Sequence, residues 1–319
     1  MKKNYFFNIT YIIFSYLYFL ITKKSFNGTN NALINVYSID NGIFKERLHR
    51  FISIRLQNYH NKAIDVSQPV KNLNDYGYHV FKNKLEKKTV SELYNLGYNL
   101  KCNDGKKITY FDPKNLSAVR YNFDKQDLIN NCHVQDLIMD DFLIETVRQY
   151  FQSQPIFDLP AMWWSTSYQK IASSEAAQLY HYDMERAKWL KIFFYLTDVD
   201  DNNGPHYYIR GSHKINSKPK SLLSRGYERI TDEEISKFYD PIDFRIIKGK
   251  KGTFFVGDTL CWHKGKNLIK NNRLVLELNY TSSLFGYNDK EDMIIKNTTK
   301  KFKLFCSKNP NYSKKIKFE

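Results

Sequence analysis

The sequence predicts a mainly β domain, a sandwich or jelly roll, with helices packed on one side. Beyond about residue 160, short segments rich in aromatic and β-branched residues alternate with Asn, Asp, Gly and Pro, the pattern of strands joined by turns. Earlier segments have helical spacing, and no β–α–β alternation follows. Hydrophobic residues make up 42% of the 319 residues, which is enough for a large core.

The first element is an apolar segment, residues 5–22, which lies between Lys2–Lys3 and Lys23–Lys24. As a helix it would be about 27 Å long, slightly shorter than the hydrocarbon core of a bilayer. No small-residue cleavage site follows it, which argues against a cleaved signal peptide. Three interpretations stay open: a helix packed on the protein, a peripheral membrane contact, and a membrane span.

The next segment, residues 26–69, is predicted to be a linker followed by a helix. Asn, Gly and Ser dominate up to residue 42, and apolar residues then keep helical spacing from Phe44 to Leu56. A main domain is predicted at residues 70–285. Within it, Thr89 and Glu92 form a capping box that predicts a helix through Leu96.

Two longer patterns complete the domain. Apolar residues from Val134 to Phe151 predict one helix. A polar insert, residues 214–243, separates the strands and has a capped turn at Thr231. A basic C-terminal tail is predicted at residues 286–319, partly disordered from Lys300. The predicted strands are residues 161–167, 176–182, 189–197, 252–263 and 273–282.

Charge and cysteine content exclude some classes of function. The net charge is +16, but Asn, Ile, Tyr and Phe are abundant together with Lys, so we interpret the charge as a compositional bias and expect no nucleic-acid partner. The four cysteines are scattered without a CxxC pair, which predicts neither a disulfide scaffold nor a zinc site. We therefore expect a cytoplasmic protein, with membrane association left open.

The chemistry is concentrated in four polar residues at the ends of apolar segments. His181 and Asp183 are two residues apart, so on a strand they face the same side, and an imidazole with a carboxylate is half of a metal site. His263 ends a later apolar strand and can complete the set. Arg273 begins the next strand after a polar loop, and antiparallel pairing of these two strands would bring it close. Its planar guanidinium suits a carboxylate.

With these residues the chain resembles the phytanoyl-CoA dioxygenase family of Fe(II)/2-oxoglutarate oxygenases. The resemblance covers about residues 70–285. Its motifs are His181-x-Asp183, YLTDVDDNNGP at 195–205, GSHK at 211–214, His263 and Arg273, with NDYGYHVFKN at 74–83 similar to the family's opening strand.

The resemblance implies a cupin-like double-stranded β-helix and a division of roles. His181, Asp183 and His263 would ligate Fe(II), and Arg273 would bind the distal carboxylate of 2-oxoglutarate, with O2 as the oxidant. Lys191 is a weaker candidate for cofactor binding, since its side chain faces either the cavity or the outer surface. The expected reaction is hydroxylation of a small molecule, with succinate and CO2 as co-products. An anionic or carrier-linked substrate is left open.

Three further positions and two alternatives complete the interpretation. Trp164, Gln178 and Tyr180 are candidates for the substrate pocket. Asp183 argues against a halogenase, and Asn279 stands where nucleic-acid demethylases of the superfamily have a second arginine. One alternative is a cupin-like metal enzyme that does not use 2-oxoglutarate. The other is a catalytically silent jelly-roll binding module.

Overall fold

The computed structural model describes residues 4–54, 63–286 and 291–319. The helices in these ranges are α1 (Tyr5–Thr22), α2 (Thr29–Asp40), α3 (Ile43–Ile54), α4 (Ser67–Tyr76), α5 (Lys87–Asn99), α6 (Lys125–Ile129), α7 (Cys132–Ile138), α8 (Asp141–Phe151), α9 (Lys220–Leu223), α10 (Asp232–Ile235) and α11 (Lys300–Lys308). A 3-10 turn spans Pro241–Asp243. The strands are β1 (Tyr78–Val80), β2 (Lys101–Asn103), β3 (Ile108–Tyr110), β4 (Arg120–Phe123), β5 (Ile156–Thr166), β6 (Trp189–Tyr195), β7 (His206–Ile209), β8 (Phe244–Ile247), β9 (Phe254–Asp258), β10 (His263–Gly265), β11 (Asn272–Thr281), β12 (Met293–Ile295) and β13 (Ile316–Phe318).

Two antiparallel sheets face each other and form the predicted jelly roll. The larger sheet has the order β1-β9-β6-β11-β5-β4-β2-β3, and the smaller one has the order β10-β7-β8. An aromatic core fills the space between them, with Phe193, Tyr195 and Phe255 from the larger sheet and Tyr208 from the smaller. Sheet-on-sheet packing of this kind buries the inner face of each strand.

Successive side chains of β11 point to opposite faces of the large sheet, and those on one face enter the space between the two sheets. Leu274 and Leu276 pack on the opposite side, in the core beneath the helices. Val275 packs in the core between the sheets. Because side chains on a strand alternate between its two faces, Arg273 and Glu277 lie on the same face as Val275.

Helices cover both sheets, so the prediction of helices on one side is wrong. Helices α7, α8 and α11 pack with the outer face of the large sheet in one core. Helices α1, α2 and α3 pack in another core with Ile209 and Trp262, next to the small sheet, and with apolar residues of the insert. A two-sheet domain has two outer apolar faces, and each needs its own cover.

The predicted linker, residues 26–42, is wrong for most of its length because α2 occupies Thr29–Asp40. Leu33, Val36 and Tyr37 form a buried stripe at helical spacing. Gly28 and Asn41 adopt left-handed backbone conformations at the two ends of the helix. The Gly and Asn residues that suggested a linker therefore mark helix boundaries. Helix α3 confirms the helix predicted from Phe44, while Leu56 lies outside the described residues.

Two helix predictions need correction. The single helix predicted from Val134 to Phe151 is two helices, because Asp140 stands between them and caps α8 by accepting from the backbone N–H of Leu143 at 2.9 Å. Thr89 does not start a helix. It lies inside α5, which begins at Lys87.

Two strand predictions also differ from the structure. Residues 176–182 contain isolated bridges at Tyr180 and His181 instead of a regular strand. The predicted strand 252–263 is divided into β9 and β10 by a turn that starts after Asp258, whose carboxylate accepts from the N–H of Leu260 at 2.9 Å. The strands predicted at 161–167, 189–197 and 273–282 correspond to β5, β6 and β11.

The insert and the tail are both packed on the domain. In the insert, Thr231 caps α10 as predicted, and Ile230 exchanges two backbone hydrogen bonds with Tyr180, each 2.9 Å long. The tail predicted to be partly disordered is folded over its described residues, because β13 pairs in parallel with β12 and Phe302 and Tyr312 are buried in the core beneath the helices.

Candidate metal and 2-oxoglutarate site

His181, Asp183 and His263 come together as a buried group of three potential metal ligands. One donor atom from each lies within 4.8 Å of the others. The Nε2 atoms of His181 and His263 are 3.9 Å and 3.8 Å from the two carboxylate oxygens of Asp183. All three residues are less than 10% exposed. Two imidazoles and one carboxylate with open positions form the donor set that suits non-haem Fe(II).

Backbone carbonyls set the orientation of both imidazoles. Nδ1 of His181 lies 2.9 Å from the carbonyl oxygen of Leu179, and Nδ1 of His263 lies 3.0 Å from that of Cys261. Because a carbonyl oxygen only accepts, each Nδ1 carries the proton and each Nε2 presents a lone pair. Burial lowers the pKa of His181 well below its ordinary value, with a further contribution from His263, and burial also lowers the pKa of His263. Both rings are therefore neutral and ready to ligate.

The two histidines are joined by an antiparallel backbone bridge at the edge of the small sheet, where β10 lies. The N–H of each donates to the carbonyl of the other, at 3.0 Å from His181 and 2.9 Å from His263. The N–H of Asp183 donates to the carbonyl of Thr259 at 2.8 Å. These bonds explain why His181 and His263, which are 82 positions apart in the sequence (263 − 181), share one site.

Lys191 lies on the cavity side of β6 and pairs with the site's carboxylates. Its Nζ is 3.0 Å from Asp183 and 3.5 Å from Glu277. Burial alone would raise the pKa of Asp183, but the charge of Lys191 keeps it below its ordinary value. Asp183 is therefore ionised. Of the two orientations left open for the Lys191 side chain, the structure shows the one that faces the cavity. Its nearest carboxylate is that of Asp183, a predicted metal ligand, and not that of a cofactor.

Arg273 is buried on β11 and has unused donors. Its Nη2 donates to Ser165 Oγ at 3.2 Å, while Nε and Nη1 have no hydrogen-bond partner within the described parts of the chain. Burial lowers the pKa of Arg273 to about 10, so the guanidinium stays charged at neutral pH. Two buried donors without acceptors, on a cation, fit an incoming carboxylate.

Arg273 and His263 do not form the expected hairpin. β10 pairs with β7 in the small sheet, whereas β11 lies between β5 and β6 in the large one. Arg273 instead faces β10, the strand that begins at His263, across the space between the sheets, and Gly265 leaves room for its guanidinium. A Cβ at Gly265 would lie 3.1 Å from Nη2 of Arg273, which is tighter than ordinary van der Waals contact.

Further polar residues near Arg273 were missed by the sequence analysis. The guanidinium of Arg120 stacks 4.1 Å from the centre of the Trp163 ring, and the charge of Arg273 acts on it. Tyr195 donates to the carbonyl of Ile247 at 2.9 Å and lies 3.0 Å from Nδ1 of His206. A basic, aromatic-walled region therefore adjoins the three ligands.

The structure gives the three predicted pocket residues different surroundings. Trp164 is wrong as a pocket residue, because it points beneath the helices and donates from Nε1 to the carbonyl of Gly97 at 2.8 Å. Gln178 uses its Oε1 to accept from the N–H of Ser173 at 2.7 Å. Tyr180 packs in the core next to the N-terminal helices, with the ammonium of Lys264 4.9 Å from its ring centre.

Arg229, on the insert, extends the site beyond the predicted residues. Its Nη1 is buried and has no hydrogen-bond partner among the residues the structure describes. The charge of Arg229 acts on both His181 and His263, which places the guanidinium near the metal ligands. The bonds between Ile230 and Tyr180 hold this part of the insert beside the segment that carries His181.

Comparisons with known proteins point in one direction. The family model described as phytanoyl-CoA dioxygenase matches residues 73–268. No curated protein is similar enough to count as a match. Among solved structures, apo EctD from S. alaskensis is 14% identical, with a TM-score of 0.52 over 84% of this chain and 92% of that one.

Two other structures are similar at lower scores. HygX from Streptomyces hygroscopicus, with nickel and 2-oxoglutarate bound, is 14% identical, with a TM-score of 0.49 over 75% of this chain and 94% of that one. The α-ketoglutarate-dependent epimerase SnoN from nogalamycin biosynthesis is 14% identical, with a TM-score of 0.48 over 67% of this chain and 82% of that one. The similarity to EctD confirms the predicted fold.

Proposed function

The chain belongs to the phytanoyl-CoA dioxygenase family, and we propose that it is a non-haem Fe(II)- and 2-oxoglutarate-dependent dioxygenase that hydroxylates a small molecule. The observation that supports this function most directly is the buried group of His181, Asp183 and His263, together with the buried Arg273. Two nitrogens of the Arg273 guanidinium have no hydrogen-bond partner in the described parts of the chain. Membership of the family and the presence of this triad support Fe(II) and 2-oxoglutarate as cofactors. A cytoplasmic location remains our expectation.

His181, Asp183 and His263 would hold the iron, which when bound supplies O2 activation coupled to decarboxylation of 2-oxoglutarate to succinate and CO2. The chain's own contribution is to keep the donors in the right protonation state. Backbone carbonyls fix the protons of the two histidines on Nδ1. Lys191 keeps Asp183 ionised and offsets the cost of burying its charge.

Arg273 would bind the distal carboxylate of 2-oxoglutarate through Nε and Nη1, while Ser165 holds Nη2. Arg120 adds positive charge in the same region. A cupin-like enzyme without 2-oxoglutarate, or a silent binding module, would leave two donors of Arg273 buried and unsatisfied at a cost of about 1–3 kcal/mol each. The oxygenase proposal gives these donors an acceptor.

The test of this function is the Fe(II)-dependent formation of succinate from 2-oxoglutarate under O2. We expect the wild-type protein to form succinate and His263→Ala to form none, because the metal loses a ligand. His133→Ala, a change on α7 outside the site, is the control and should keep the wild-type rate. Succinate formation by His263→Ala at the wild-type rate would contradict the proposal.

The substrate is proposed to carry an anionic group that Arg229 binds. Arg229 has a buried Nη1 without a partner in the described ranges and lies near the ligand histidines. Arg225, on the same insert, is different because it already pairs with Glu234. An anion on the substrate would satisfy Arg229 and orient the molecule beside the metal.

Matched pairs of small molecules, each a carboxylic acid and its neutral amide, test this substrate class. We expect acids to stimulate succinate formation more than their amides, a preference that Arg229→Met removes and Arg225→Met keeps. Equal stimulation by acids and amides in the wild-type protein would refute the anionic substrate without affecting the oxygenase proposal.

A further inference from the structure

Helix α1 has an apolar surface on the side that faces away from the protein. Its buried residues are Ile12, Ser15 and Tyr16. The large apolar residues Phe6 and Ile21, near the two ends of the helix, are 78% and 83% exposed. The exposed residues of the helix are Phe6, Phe7, Thr10, Ile13, Phe14, Leu17, Tyr18 and Ile21.

The exposed residues form one continuous face. At 3.6 residues per turn they cover an arc of about 140°, and the three buried residues lie on the opposite side. A surface helix of a globular protein normally has polar residues on this solvent side. Here Thr10 is the only polar residue of the face, so the helix is apolar both where it contacts the protein and where it does not.

The apolar face continues onto α3 and is flanked by positive charge. Phe51 and Ile54 of α3 are exposed, and the Phe51 ring lies 5.9 Å from that of Tyr16. Lys23 and Lys24 are exposed directly after the helix. Lys314 is also exposed and lies close enough to Lys23 for that charge, after burial, to lower the pKa of Lys314. At the other end of the helix, Tyr5 donates to Asp40 at 3.0 Å, and the charge of Arg47 also acts on it.

We propose that this face of α1 docks on the surface of a bilayer that contains anionic lipids, with the helix lying in the plane of the interface. An in-plane helix places apolar residues among the acyl chains and cations among the head groups, and both features are on this face. This surface contact is independent of the oxygenase function.

Two other arrangements fit less well. A membrane span would pull α1 away from the domain and break the 2.6 Å hydrogen bond between Ser15 and Thr29 and the contact of Tyr16 with Phe285, whose rings are 5.1 Å apart. A second copy of the chain, paired about a two-fold axis with the two α1 helices parallel, would bring Lys23 and Lys24 of one helix near those of the other.

The experiment is flotation of the purified full-length protein with vesicles of phosphatidylcholine, alone or mixed with phosphatidylglycerol. We expect the protein to float with the anionic vesicles and to be released by high salt, because the cations contribute part of the affinity. Lys23→Gln combined with Lys24→Gln should weaken partitioning by about 30-fold, at about 1 kcal/mol per cation.

Replacing exposed apolar residues by glutamate distinguishes docking through this face from nonspecific hydrophobic adsorption. Phe14→Glu and Leu17→Glu should abolish flotation, whereas Ile171→Glu, at an apolar residue that is 81% exposed elsewhere, should not. Unchanged thermal unfolding midpoints exclude misfolding. The proposal is overturned if the wild-type protein does not float with the vesicles. It is also overturned if binding resists both salt and alkaline extraction, as a membrane span would. A third contrary result is that the wild-type protein is a soluble dimer and Leu17→Glu only converts it to a monomer.

Discussion

Replacing Arg273 by Met should make the ligand-free protein more stable while it weakens the binding of 2-oxoglutarate. The guanidinium is 3% exposed, and two of its nitrogens have no acceptor in the described chain. Met has a similar length and no polar hydrogens. The substitution therefore tests whether Arg273 serves the binding of 2-oxoglutarate or the stability of the fold.

The size of both effects follows from the contacts. A buried polar group without a partner costs about 1–3 kcal/mol, so removing the two groups Nε and Nη1 should raise the free energy of unfolding by about 2–6 kcal/mol. The hydrogen bond from Nη2 to Ser165 is lost, which offsets part of the gain. A charge-assisted pair with the carboxylate contributes about 1.5–3 kcal/mol, so 2-oxoglutarate should bind about 10- to 150-fold more weakly.

Two measurements test the prediction. Urea unfolding of the metal-free, ligand-free proteins gives the change in stability, and anaerobic calorimetric titration with 2-oxoglutarate in the presence of Fe(II) gives the change in affinity. Arg225→Met, which removes a surface cation paired with Glu234, should change neither quantity appreciably. An Arg273→Met protein that binds 2-oxoglutarate within two-fold of wild type would refute the assignment.

Three further predictions concern the surroundings of the site. Lys191→Met leaves Asp183 and a neighbouring glutamate without their cation, so it should lower the free energy of unfolding of the metal-free protein by about 3 kcal/mol; urea unfolding measures this, and an unchanged value would be inconsistent with the ion pair. Gly265→Ala places a Cβ 3.1 Å from Nη2 of Arg273 and should weaken 2-oxoglutarate binding several-fold while Fe(II) affinity stays constant, as separate titrations would show. Burial, and then the charge of Lys188, lowers the pKa of His49 to about 4. The unfolded chain therefore takes up a proton that the folded protein does not between about pH 6.5 and 4. Stability is lost as the pH falls through this window, and His49→Gln should make the loss shallower by up to about 1.4 kcal/mol per pH unit; an unchanged slope would count against the buried neutral imidazole.

The sequence was sufficient to single out the three residues that the structure brings together as a candidate metal site, and the buried Arg273, because each is a polar residue at the boundary of an apolar segment. It was not sufficient to predict how the fold brings these residues together. The approach of Arg273 to β10, the strand that begins at His263, depends on two sheets facing each other, and no local pattern distinguishes this arrangement from a hairpin.

Side-chain direction explains the error at Trp164. Trp163 and Trp164 are adjacent, aromatic and both buried, so hydrophobicity alone gives no preference for either face of β5. Only the register that pairs Arg273 with Ser165 shows that Trp163 faces the site and Trp164 faces the helices. Arg120 and Arg229 were missed for a related reason, since nothing in the local sequence separates them from the other 47 of the 49 basic residues.

The central claim is that 2-oxoglutarate chelates an iron ion held by His181, Asp183 and His263. Its most direct test is an anaerobic titration of the metal-free protein with Fe(II) and then 2-oxoglutarate, followed by visible absorption. We predict a weak charge-transfer band that saturates at one equivalent of each in the wild-type protein and is absent in His181→Ala. No band in the wild type, or an undiminished band in His181→Ala, would contradict the claim.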